Sequence, residues 1–288
     1  MTPLYDRATE DVGNIVKLEH VNVTVPDQLL TTLFYVLGLG LTRDPYLMVE
    51  LDNMWINIGR YQMHLPTAAP QRLRGTIGLV LPDLVELKQR LQRVQPRLAT
   101  TAFAYAERGA FVQVTCPWGN RFRCHPPQPE FGDMELGMAY VEFDVPRGSV
   151  QKILRFYREV MGAAGEVVDR DGAPAAAIKA GDGQHLYFRE TSAPIPPYDG
   201  HHIQIYISDF SGPYRRLIDR KLITLETDAH EWRFIHILDL DTNQPLFTVE
   251  HEVRSLRHPL YGRPLVNRNT AQTNRNYLRG QDGFRGRY

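Results

Sequence analysis

Ten histidines and two cysteines carry most of the reactive chemistry available to this 288-residue chain. The cysteines, Cys116 and Cys124, flank the turn-like stretch Cys116-Pro-Trp-Gly-Asn-Arg-Phe-Arg-Cys124. A hairpin there could oppose them, but two reduced, half-buried thiols are the expected state, and neither has the company of a nucleophile. Histidines combined with carboxylates are a different matter, because imidazole and carboxylate together hold divalent metals. A lone histidine on a strand, however, is more often a satisfied polar residue than a ligand. Which of the ten could act together depends on the elements that position them.

Those elements repeat. Four segments open with an alternating strand that ends at a Pro- or acid-marked turn: Leu18-Glu-His-Val-Asn-Val-Thr-Val-Pro-Asp27, Arg74-Gly-Thr-Ile-Gly-Leu-Val-Leu-Pro-Asp83, Met138-Ala-Tyr-Val-Glu-Phe-Asp-Val-Pro-Arg147 and Gly200-His-His-Ile-Gln-Ile-Tyr-Ile-Ser-Asp209. A helical apolar face follows each one: Leu30, Leu33, Phe34 and Leu37; Leu84, Leu87 and Leu91; Val150, Ile153, Leu154, Tyr157 and Met161; Phe210, Tyr214, Leu217 and Ile218. Strand-like runs punctuated by turn residues come next, at 47–58 and 62–65, 111–115 and 121–124, 175–179 and 185–189, and 232–238 and 246–253. The unit is β-α-β-β-β, four times over. Each unit covers only one face of its sheet, so the expected fold class is α+β, with the units pairing into two cupped, barrel-like sheets and the helices outside.

This repeat, together with the His-Val-Asn-Val-Thr-Val-Pro-Asp opening, resembles the vicinal oxygen chelate superfamily, which includes glyoxalase I, extradiol dioxygenases and the bleomycin-resistance proteins. The resemblance covers about residues 16–255 and specifies fold more than chemistry. It divides the chain into an N-terminal extension (1–15), two halves of two units each (16–130 and 136–255), and a C-terminal strap followed by a flexible basic tail (256–288).

Metal-binding members of that superfamily take ligands from the opening strand of a unit and from its last strand. Aligning the opening strands puts His20, Thr76, Tyr140 and His202 in the first place. The last strands offer His64, then Arg123 or His125, then Gln184 or Leu186, and Glu250. Units one and four therefore hold the ligand types. Pairing in order would leave two half-built sites, whereas pairing unit one with unit four gathers His20, His64, His202 and Glu250 in one cup. The subset His20, His202 and Glu250 is a 2-His-1-carboxylate set. Glu250 depends on register, because Gln244-Pro245 lengthens the turn before it and a one-residue slip would turn His251 inward. His201 must face away from His202, and His185, His230, His236 and His258 read as structural or surface residues. Tyr140 stands where an extradiol enzyme carries histidine in its third unit. With Tyr187 and Arg123 it is expected instead to line a pocket for an organic ligand.

Composition narrows the classes further. Thirty-three Lys+Arg balance thirty-three Asp+Glu, which removes the electrostatic case for a nucleic-acid tracker. No apolar stretch approaches the roughly 20 residues of a membrane span, and no signal pattern opens the chain, so the cytoplasm is expected. Arg268, Arg275, Arg279, Arg285 and Arg287 against Asp282 make the terminal segment basic. The resemblance implies a metal-dependent enzyme, with Fe, Mn, Ni or Zn, acting on a small molecule with vicinal oxygens. Its chemistry would be either a glyoxalase-like lyase/isomerase reaction or ring-cleaving dioxygenation, with Glu250 as ligand and base. The competing reading is a metal-free protein that sequesters a small molecule. A homo-oligomer is compatible with either.

Overall fold

The computed structural model describes residues 7–45, 52–265, 269, 271–272, 277–278 and 281. Unit one contains β1 (Ile15–Asn22), the helix α1 (Gln28–Thr31) with its π-helical continuation Thr32–Gly38, β2 (Thr42–Arg43), β3 (Asn53–Ile58) and β4 (Tyr61–Pro66). Unit two contains β5 (Gly75–Val80), α2 (Leu84–Leu98), β6 (Ala104–Arg108), β7 (Phe111–Thr115) and β8 (Arg121–His125). Unit three contains β9 (Gly137–Pro146), α3 (Val150–Glu159), β10 (Gly165–Arg170), β11 (Ala173–Gly181) and β12 (Gln184–Thr191). Unit four contains β13 (His202–Ile207), α4 (Ser211–Ile218), β14 (Ile223–Thr227), β15 (Glu231–Leu238) and β16 (Pro245–Ser255).

The repeated Pro-Asp has a local purpose. Asp27 and Asp83 leave the strand with extended backbone and accept hydrogen bonds from the first free amides of the helix, Leu29 and Leu30 in one case and Val85 and Glu86 in the other. In unit three the N-cap Ser149 makes no such bond; a neighbouring strand serves the start of the helix instead, with Glu190 Oε1 accepting from Gly148 N and Val150 N on either side of the cap. The first helix departs from the expected 3.6-residue face. Its π-helical turn, with Leu39 N bonded to Phe34 O, rotates Leu37 to 50% exposure and Tyr35 fully inward.

Two eight-stranded sheets result. One runs β14-β15-β16-β13-β1-β4-β3-β2 and joins units four and one; the other runs β10-β11-β12-β9-β5-β8-β7-β6 and joins units three and two. Antiparallel pairs close both junctions, β1 with β13 and β5 with β9. Each sheet thus draws one unit from residues 16–130 and one from 136–255. The helices cover the outer faces, where Phe34, Leu87, Leu91, Phe122, Ile153, Phe156, Tyr157, Phe188 and Phe234 belong to one buried core. Burying such side chains contributes about 1.5–3 kcal/mol each.

Cys116 and Cys124 are free and fully buried, deeper than expected. Cys116 Sγ accepts from Asn120 N and helps fix the β7–β8 turn. Beyond β16 the strap is anchored by His258 and Tyr261 against Tyr206, and by Arg263, which ion-pairs with Asp44. Of the tail expected to be flexible, Asn269 and Gln272 are buried and Tyr277 packs on Trp55. Arg268, Arg275, Arg279, Arg285, Arg287 and Asp282 lie outside the described residues, as does the 47–51 part of the strand expected before β3. Among the described residues no helix is long and apolar enough to cross a membrane.

Candidate metal centre

Three imidazoles converge on the inner face of the unit one–unit four sheet. One ring nitrogen each of His20, His64 and His202 lies within 4.8 Å of the other two. Register produces this meeting. On β1 and β13 the antiparallel pairs are His20 with Gln204 and Asn22 with His202, so the two histidines sit diagonally across the junction. Parallel β4 then sets His64 beside Asn22. A bulge in β1 between Leu18 and His20 carries Glu19 to the same side as His20. Gln184 locks the bulge from the other sheet, accepting from Leu18 N and donating to Leu18 O. This residue, expected only as a poor metal ligand, positions a good one.

Each ring is oriented through its second nitrogen, or through the group nearest to it, as metal-binding histidines are. His20 Nδ1 lies 3.4 Å from Glu19 Oε2, and His20 Nε2 is buried with no hydrogen-bond partner. His64 Nε2 donates to Asn53 Oδ1 at 2.7 Å, which leaves Nδ1 its lone pair, and its ring stacks on Trp55 with centroids 3.8 Å apart. His202 Nδ1 is 3.6 Å from Glu250 Oε1, and its Nε2 is 3.3 Å from Glu252 Oε2 without hydrogen-bond alignment. Burial lowers the pKa of His20, against the pull of Glu19 and Glu252. Burial and the neighbouring imidazoles push His64 well below its ordinary value. The unpartnered Nε2 atoms of His20 and His202, together with the free lone pair of His64 Nδ1, form a donor set suited to a divalent metal.

The carboxylates are arranged differently from the sequence expectation. Glu250 pairs in register with His202, as Gln62 pairs with His20, and its carboxylate is bound by Arg233 Nη1 at 2.7 Å. The position in unit four that corresponds to His64 is two residues further on. His64 stands beside Asn22, and Glu252 stands beside Gln204, the counterpart of Asn22. Glu252 is buried, and although burial raises its pKa, His202 and the guanidiniums of Arg254 and Arg233 hold it well below the carboxylate range. Alternation alone puts Glu250 and Glu252 on one face, but choosing between them requires the strand register. His251 faces the core, as its parity demands, accepting from Tyr157 Oη at 2.6 Å and stacking on Phe234. His201 also faces away, bonded to Asp199.

Tyr140, Tyr187 and Arg123 share the other cup. Tyr140 lies over Gly78, where a Cβ would come within 2.2 Å of its ring, and bonds His125 Nε2 through its hydroxyl at 2.9 Å. The Arg170 guanidinium sits 4.4 Å and 3.9 Å from the Tyr140 and Tyr187 ring centres and bonds Glu142 at 2.5 Å. Arg123 pairs with Asp171 at 2.6 Å. These groups engage one another, and Arg170 and Glu142 were not foreseen from the sequence. Among the described residues the only cluster suited to a metal is the histidine triad.

No family model matches the chain, and no curated protein does. Solved structures do. Glyoxalase I from Zea mays is similar over 83% of this chain and 92% of its own, at TM-score 0.58 and 12% identity. A candidate dioxygenase from Bacillus subtilis is similar over 84% of this chain and 86% of its own, at TM-score 0.55 and 14% identity.

Proposed function

The chain has the vicinal oxygen chelate fold, and from that premise we propose that it is a metal-dependent enzyme acting on a small molecule with adjacent oxygens, by lyase/isomerase or dioxygenase chemistry. The observation that carries the proposal is the convergence of three imidazoles in one cup, two of them with buried, unpartnered Nε2 atoms. His20, His64 and His202 would hold the metal, with Glu252 as the carboxylate beside them. Bound there, a divalent ion such as Zn, Ni, Mn or Fe supplies Lewis acidity toward a substrate oxygen or, as iron, dioxygen chemistry.

The protein's own groups divide the remaining work. Glu252, pinned by Arg254 Nη2 at 2.5 Å and Arg233 Nη2 at 2.6 Å, stays ionised and stationary. Glu250 is more exposed and reaches toward His202, so its Oε atoms are the ones that take a substrate proton and return it. Arg233 spans Glu231, Glu250 and Glu252 and holds their spacing. Trp55 fixes the His64 ring and excludes water from that side.

Metal analysis of protein purified without an affinity tag tests this. Stoichiometric metal is expected in the wild type, with loss in His20→Ala and His202→Ala. Glu252→Gln lowers metal affinity by about 10–100-fold. Glu250→Gln keeps the metal and loses turnover. Metal-free wild type, or full occupancy in both histidine variants, overturns the assignment.

A further inference from the structure

A cavity of about 270 Å³ opens at the end of the unit two–unit three sheet where β5 and β8 begin and β12 ends, and it shares no residue with the histidine triad. Three guanidiniums line it: Arg72 and Arg74 from the segment before β5, and Arg121 from the first position of β8. Asp144 of β9 is the one acid among the described lining residues. The loop after β12 closes one side with Ile195 and Pro196.

Each guanidinium is fixed through only part of its donor set. Arg72 Nε donates to Gly119 O at 3.2 Å, and Arg121 Nε to Gly75 O at 3.1 Å. Arg74 Nη2 donates to Thr248 O, and its guanidinium lies 4.3 Å from the Phe247 ring centre. Carbonyls and a ring face hold geometry without cancelling charge. Asp144 accepts from Arg121 Nη2 at 2.9 Å and also attracts Arg189 at 3.8 Å. Asp199, behind the wall, is taken by His201 Nδ1 and by Arg72 N, both at 2.6 Å. The lining therefore carries two surplus positive charges among the described residues, and counting Arg189 and Asp199 leaves that balance unchanged. Burial lowers the Arg74 pKa against the pull of Tyr198 and Asp199, so this cation is held at a cost that a counter-anion would relieve.

We infer that this cavity is a binding site for a small phosphate monoester. A phosphate dianion matches the two surplus charges, and fixed planar guanidiniums suit its oxygens. The volume falls just below the roughly 300–1,000 Å³ of sites for drug-sized ligands, which fits a phosphate group with a short carbon chain. That chain lies against Ile195 and Pro196. The site stands on its own charge balance and does not depend on the metal reading.

Isothermal titration of full-length protein with propyl phosphate tests this, with inorganic phosphate, acetate and propanol as comparators. Propyl phosphate is expected to bind more tightly than all three and to weaken as NaCl is raised. Arg74→Met should weaken it about ten-fold, the loss of one charge-assisted hydrogen bond. Ala193→Glu, at the exposed rim, sets a carboxylate in the cavity and should weaken binding as much, at unchanged ligand-free Tm; it keeps the test decisive where Arg74→Met fails to fold. His20→Ala should bind propyl phosphate as the wild type does. No binding by the wild type, or wild-type affinity in folded Arg74→Met or in Ala193→Glu, overturns the site. A comparator that binds as tightly as propyl phosphate overturns the monoester class. Affinity lost in His20→Ala and kept in Arg74→Met assigns the phosphate to the metal centre and overturns the inference while sparing the metal reading.

Discussion

Arg263→Met is the sharpest probe of how the strap is held to the metal-bearing cup. Arg263 Nη2 donates to Asp44 Oδ2 at 2.8 Å and to Gln62 Oε1 at 3.2 Å, and the two charged side chains are 1% and 0% exposed. Methionine keeps much of the volume and removes the charge, leaving the Asp44 carboxylate in the interior. Breaking a buried pair in this way costs about 3–5 kcal/mol. Gln62 Nε2 still donates to Asp44 Oδ2 at 2.8 Å, so the lower end, about 3 kcal/mol, is expected. At about 3 kcal/mol per molar urea, the denaturation midpoint falls by about 1 M. Adding Asp44→Asn removes the charge that Arg263 had balanced, and the double variant should recover about 2 kcal/mol of the loss. Limited proteolysis supplies a second readout, since a released strap is cut at 256–265 before the core is. A loss under about 1 kcal/mol, or a double variant no more stable than Arg263→Met, would refute the reasoning.

Acid stability tests the core face of the same sheet. His251 is fully buried, and burial drives its pKa down to about 3 despite the hydrogen bond to Val249 O. The unfolded chain takes up the proton near pH 6.5 and the folded chain does not, so this contribution is present above about 6.5 and is lost as pH falls toward 3. Between pH 7 and pH 5 the loss from this one residue is about 2 kcal/mol. His251→Gln should flatten the measured pH dependence of unfolding by that amount, and an unchanged slope sinks the idea. In the second cup, Gly78→Ala drives a Cβ into the Tyr140 ring. A destabilisation of about 1–3 kcal/mol is expected, with metal content untouched; equal thermal stability of variant and wild type would show that the ring yields freely.

Much of the architecture was legible because it is written in local periodicity. The inner strands, Phe111–Thr115, Arg121–His125, Glu231–Leu238 and Pro245–Ser255 among them, stand within two residues of their apolar runs. The edge strands β6, β10 and β14 were not located, and their burial explains it. Ala104–Arg108, Gly165–Arg170 and Ile223–Thr227 are largely exposed, so no buried face imprints an alternating pattern on them. Leu37 leaves its expected buried face for a related reason: a π-helical turn changes the period that a 3.6-residue helix would keep.

The site divides along the same line. Residue type and repeat position were enough to single out His20, His64 and His202, since four copies of one unit make equivalent positions comparable without a structure. The asymmetric distribution of ligand types also pointed to the one-with-four pairing that the sheets adopt. The sequence could not rank Glu252 against Glu250, or reveal the bulge at Glu19 and the Gln184 bonds that secure it. Nor could it show that Tyr140, Tyr187 and Arg123 are occupied by Arg170, Glu142, His125 and Asp171. Those facts depend on register between strands remote in sequence, where a two-residue shift keeps every apolar residue inward and still exchanges one carboxylate for another. Periodicity therefore determined which elements exist and which face each presents, because that information is local; only tertiary pairing decided which polar groups meet on that face.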